Sequence, residues 1–130
     1  MAASGAVAST RVLVVGLDPR TVPGYDPEPV VAAIERGQRR FAELGISCRF
    51  ELLPYDEDTA EQEERLVEVL RREPYECVVI GGGIRTDEGR LETFERVVNL
   101  VRRHAPQAAI AFDARADDTA EAAQRWISTP

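Results

Sequence analysis

Lysine is absent from the 130 residues, so every one of the 16 basic side chains is an arginine. That absence excludes the lysine of a phosphate-binding P-loop and a lysine Schiff base to a carbonyl or pyridoxal cofactor. It also excludes the lysine with which a phospho-receiver domain senses its acyl phosphate. The chain has one histidine, His104, and two cysteines, Cys48 and Cys77, too few for a histidine-rich metal site or a disulfide framework. Both cysteines stand near the start of a predicted strand among core-type residues, which points to two reduced, buried thiols and a cytoplasmic setting. No apolar run approaches the roughly 20 residues that span a bilayer, so membrane insertion is not expected. Residues 1–10 (MAASGAVAST) lack the basic start and apolar block of a secretory signal and read as a flexible tail.

A net charge of -7 repels nucleic-acid phosphates, and the arginines are scattered along helices rather than gathered into a stripe with aromatics. What remains is 44% hydrophobic and 30% charged residues, the balance of a globular domain, and residues 11–130 are long enough to form one with its own core.

The order of apolar runs is βαβαβαβα. Arg11 to Gly16 (RVLVVG) reads as a central parallel strand because its apolar run is nearly continuous. Asp26-Pro27 opens a helix whose face is marked by Val30, Ile34, Phe41 and Leu44, and Gly45 stops it. Ile46 to Leu53 alternates and is more polar, as an edge strand is. A capping box at Asp58/Glu61 or Thr59/Gln62 starts the second helix, which Pro74 closes. Glu76 to Ile80 is the third strand. A third helix carries Leu91, Phe94, Val98 and Val101 and ends near His104; Ala108 to Phe112 forms the fourth strand. Asp118 with Glu121 caps a last helix, with Trp126 as its expected anchor.

Strict alternation with short connections implies an α/β fold of three layers: a four-stranded parallel sheet of order 2-1-3-4 with helices on both faces, a flavodoxin-like arrangement. Strand four is left as an apolar edge, for which pairing in a homodimer is one remedy.

In such sheets ligands bind beyond the carboxyl ends of the strands where strand order reverses, here between strands one and three. Two loops meet there, Leu17 to Asp26 and Gly81 to Gly89. Gly81, Gly82 and Gly83 can adopt positive φ and expose N–H groups to an anion, and Arg20, Arg85 or Arg115 can clamp phosphate or carboxylate. The competing reading is a tight turn whose glycines allow close packing, with Arg85 tied to Asp87 or Asp113. The glycines lack the spacing of a dinucleotide fingerprint. Asp18, Asp56 and Asp113 at strand ends could hold Mg²⁺ or act as acid and base, Asp18 and Asp113 being the catalytic candidates, but capping and solvation explain them as well. Tyr25 and Tyr55 are possible donors or stacking platforms. His104 lies at the opposite end of the sheet as a helix-terminal cation. No cofactor or metal is implied.

The segments IGGGIRTDEG (Ile80 to Gly89), VVNLVRRHAPQAAIAFD (Val97 to Asp113) and DDTAEAAQRWI (Asp117 to Ile127) together resemble a family of small, functionally uncharacterised α/β proteins. The resemblance implies the fold and no activity. Similarity to flavodoxins is architectural only, because the loop after strand one lacks their Ser/Thr-rich phosphate loop. The expected function is recognition of a small anionic metabolite by Asp18, Arg20, Gly81, Gly82, Gly83, Arg85 and Asp113. The alternatives are a non-catalytic homo-oligomeric interaction protein and a flavin-binding electron carrier.

Overall fold

The computed structural model describes residues 9–127. Four strands, β1 (Val12–Leu17), β2 (Cys48–Leu53), β3 (Cys77–Ile80) and β4 (Ala109–Phe112), form one parallel sheet in the order β2-β1-β3-β4. Five helices accompany them: α1 (Glu28–Glu43), α2 (Thr59–Arg72), a single turn α3 (Gly82–Arg85), α4 (Leu91–His104) and α5 (Thr119–Gln124). The expected three-layer α/β arrangement is therefore what forms. No helix among the described residues is long and apolar enough to cross a membrane.

Side chains on a strand alternate between faces, and β1 divides its apolar residues accordingly. Leu13 and Val15 join Leu66, Val69, Leu70, Val97 and Val101 of α2 and α4, while Val12 and Val14 join Phe41 of α1 and Ala120, Ala122 and Ala123 of α5. The two cores lie on opposite faces of the sheet. On the first, Tyr75 is fully buried and its hydroxyl donates to the Val69 carbonyl at 2.7 Å, which satisfies the one polar atom that its ring carries inside.

Local signals place the helix ends. Asp58 accepts the Glu61 N–H at 3.1 Å and caps α2. Gly45, at φ +69°, ends α1 in a Schellman motif: Ile46 N–H donates to Phe41 O at 3.0 Å and Gly45 N–H to Ala42 O at 3.1 Å. Asp26 does meet the start of α1, accepting the Glu28 N–H at 3.1 Å, although Pro27 occupies the cap position itself.

Three expectations are corrected. Trp126 is 61% exposed and does not anchor the last helix, because α5 ends at Gln124 and its buried face is made of alanines. Asp118 does not cap α5 through its side chain; its Oδ1 turns back to accept the N–H groups of Ala114 and Arg115 at 3.0 and 3.2 Å. The deep face of α1 is Val31, Gly37 and Phe41, with Val30 and Ile34 only half-buried. Of the segment 1–10, residues 1–8 lie outside the described residues, while the Ser9 carbonyl accepts from Ser47 Oγ at 2.9 Å.

Cys48 and Cys77 are both free, and in the sheet they flank Val12 from opposite sides. Burial raises the Cys77 thiol to about 11 and also raises that of Cys48, so both are protonated near neutral pH.

Candidate functional site

The loops at the carboxyl ends of β1 and β3 do converge, and beside them is a cleft of about 470 Å³. Two glycines create it. Val12 and Val14 face α1, so the next position on that face of β1 is Gly16, where the side chain is missing. Gly81 continues the β3 ladder beside it, its N–H donating to Val15 O at 2.8 Å, and a Cβ built at Gly81 would lie 3.5 Å from the Gly16 Cα. With neither residue filling the space under α1, the half-buried Val30 and Ile34 meet a void rather than the sheet. Phe50 and Leu52 of β2 form one side, and Val22 and Tyr25 of the β1–α1 loop form the rim. The opposite side is Asp113 to Ala116 after β4, with Thr119 at the start of α5.

The glycine run behaves differently from the expected anion cradle. None of Gly81, Gly82 and Gly83 has positive φ; that conformation occurs, among the described glycines, at Gly24 and Gly45. Gly81 is extended and stands directly before α3, which begins at Gly82. Close packing explains the residue type: a Cβ at Gly83 would stand 3.3 Å from Leu17 Cβ. Ile84, fully buried, pins the turn to the α2/α4 core.

Asp113 is the charged group most deeply set in the cleft, at 5% exposure. Its Oδ1 accepts the Gly82 N–H at 3.0 Å. Arg85 does not pair with the carboxylate; its Nη2 donates to the backbone carbonyl of Asp113 at 2.6 Å, and its guanidinium lies over the Phe112 ring at 5.7 Å. Burial therefore dominates the Asp113 carboxyl and, with the nearby Asp118 charge, lifts its pKa to about 6 against the smaller opposing effects of the Gly82 N–H and Arg85.

The other expected residues are dispersed. Asp18 caps the short turn Pro19–Thr21, accepting the Arg20 N–H at 3.0 Å, and neither Asp18 nor Arg20 nor Arg85 lines the cleft. Thr21 ties that loop to the end of β2 by accepting the Tyr55 N–H at 2.9 Å. Tyr55 is covered by the Arg90 guanidinium, 4.3 Å from its ring centroid. Arg115 reaches the cleft rim but is 72% exposed and paired with Asp117 at 3.1 Å. His104 ends α4, at the amino-terminal end of the sheet. No group of three or more metal-ligating side chains is assembled among the described residues.

Thr119 is the residue that motif reading missed. It is 2% exposed, its Oγ1 has no hydrogen-bond partner among the described residues, and it lines the cleft. A Cβ built at Gly37 of α1 would approach that oxygen to 2.9 Å, so α1 and α5 meet closely only because residue 37 is glycine. No protein-family model matches the chain, and no curated protein matches it.

Proposed function

We propose that the protein binds a small molecule with a largely apolar body in the cleft at the carboxyl ends of β1 and β3. The observation that carries this reading is the glycine-floored void of about 470 Å³, walled by Val14, Ile34, Phe50 and Leu52 and holding one buried carboxyl. Small-molecule sites have this composition, an apolar enclosure with a few placed polar groups, and this size. The anionic group anticipated from the glycines and arginines is less well served, because Gly82 N–H is already engaged and Arg85 is held on a backbone carbonyl. An anion would also face the Asp113 carboxylate. Acid–base catalysis calls for a second proton-transferring group held beside the first, and the cleft lining adds to Asp113 only Tyr25 and Arg115 at the exposed rim, which favours binding over turnover.

A screen of cationic, neutral and anionic aromatic fragments by thermal shift is expected to yield binders whose amide chemical-shift changes centre on Gly16, Gly81 and Gly82. Gly16→Val tests the location. The new side chain meets only Leu52 Cδ2, at an ordinary 3.5 Å, before projecting into the void, so the fold is retained while the binders are lost. Binders that keep their affinity for Gly16→Val, or a screen with no hit mapping to these residues, would sink the reading.

A second reading rests on the open edge of β4. Phe112 is 40% exposed there, and Trp126 is exposed beside Arg125, which reaches the edge to donate to the Phe112 carbonyl at 3.0 Å. Two copies pairing edge to edge would cover these rings. Light scattering across the micromolar range would then show a concentration-dependent dimer that Trp126→Glu abolishes; a monomer at every concentration refutes it.

A further inference from the structure

Asp113 presents a charge imbalance among the described residues. Its carboxyl is almost wholly removed from solvent, yet among the described residues no guanidinium forms an ion pair with it, although the cation of Arg85 lies close by. A buried carboxylate without a counter-charge is costly, and such charges are ordinarily paired or hydrogen-bonded throughout. Here Oδ1 has the Gly82 N–H, the Asp113 backbone N–H also bonds the carboxyl, and among the described residues no side-chain donor reaches it. On the α5 side of the same cleft a second buried polar atom, Thr119 Oγ1, has no partner among the described residues. One carboxylate without an ion-pair partner thus faces an otherwise apolar space, while Thr119 Oγ1 is turned toward Gly37 of α1.

The geometry points to a protonated amine with an apolar body as the ligand class: its ammonium group meets the Asp113 carboxylate and its body occupies the Val14, Ile34, Phe50 and Leu52 surface. This deepens the proposed cleft-binding role and rests on it. An ammonium adds charged donors to the carboxylate and a direct ion pair that Arg85, held on the Asp113 backbone carbonyl, does not form. The negative field of a chain with net charge -7 concentrates cations at its surface and so acts in the same direction. The charged groups around Asp113 are Arg85 from α3, Asp118 ahead of α5, and Arg115 at the rim, itself neutralised by Asp117. Burial lifts the Asp113 carboxyl to about 6, so occupancy by an amine follows its ionisation.

Three probes with the same ring separate the possibilities: phenethylamine, 2-phenylethanol and 3-phenylpropionate, each titrated into the protein while amide chemical shifts are followed. The amine is expected to move the Gly81, Gly82 and Asp113 signals and to bind most tightly at pH 8. Its affinity falls about tenfold by pH 5 as Asp113 takes up a proton, with the amine itself remaining charged. In Asp113→Asn that pH dependence disappears and affinity at pH 8 drops by about tenfold. Thr119→Val provides a second, near-isosteric variant that keeps Asp113 intact and retains the pH dependence. If the alcohol or the carboxylate binds in the cleft as well as the amine, or if the amine binds Asp113→Asn unchanged, the cationic class is overturned while the cleft reading stands. If none of the three moves these signals at millimolar concentration, both fall.

Discussion

Asp113→Asn is expected to stabilise the protein at neutral pH, by up to about 3 kcal/mol, and to leave it nearly unchanged at pH 4. The sign follows from proton binding. With its pKa raised from 3.8 to about 6, the folded protein holds a proton on Asp113 across a window in which the unfolded chain has released it. Stability therefore declines as pH rises through that window and levels off above it, and about two units at 1.4 kcal/mol each set the scale. Asparagine does not titrate, and its side-chain carbonyl still accepts the Gly82 N–H. Urea unfolding of both proteins from pH 4 to 8 measures the effect as a difference that opens between pH 4 and 7. A constant difference across that range would mean that Asp113 carries its charge in the fold at no cost.

Phe41→Ala is expected to cost about 3–5 kcal/mol, a large part of the roughly 5–15 kcal/mol by which such a domain is stable. Phe41 has no solvent exposure, its ring meets Phe50 edge to face with centroids 6.1 Å apart, and its carbonyl receives the Ile46 N–H that terminates α1. Removing the ring leaves a void between α1 and the edge strand β2 that alanines of α5 are too small to fill. The midpoint of urea unfolding should fall sharply with little change in slope; a shift equivalent to less than about 1 kcal/mol would show that α1 is not anchored there.

The fold was legible because its signals are redundant. The nearly unbroken apolar runs of β1 and β3 mark them as central, the alternation of β2 marks it as an edge, and right-handed connections leave one sensible strand order. Trp126 misled because size alone suggests an anchor, whereas its exposure depends on α5 stopping two residues earlier. The glycine run misled in another way. Its motif suggested free N–H groups, but hydrogen bonding to Val15 and Asp113 and packing against Leu17 use what the glycines offer. The location of the cleft was readable from topology, and Asp113 was readable as a strand-end carboxylate. The apolar walls were not, since they come from segments distant in sequence and exist only because Gly16 and Gly81 fall side by side. Gly16 did carry a signal: it shares a strand face with Val12 and Val14. Thr119 carried none, as an unpartnered hydroxyl is a property of its neighbours.

The register of β1 has a consequence for how the molecule reaches its working form. Val12 is among the first structured residues, yet its partners, Cys48 on one side and Cys77 on the other, lie far along the chain. Parallel pairing of this kind closes large loops before any reward is collected, which makes folding slow relative to a helical bundle of equal length. The Gly16–Gly81 floor is complete only when β3 has docked, and the Asp113 wall only after β4. In nascent or partly folded chains the cleft therefore does not yet exist, and its walls are completed last.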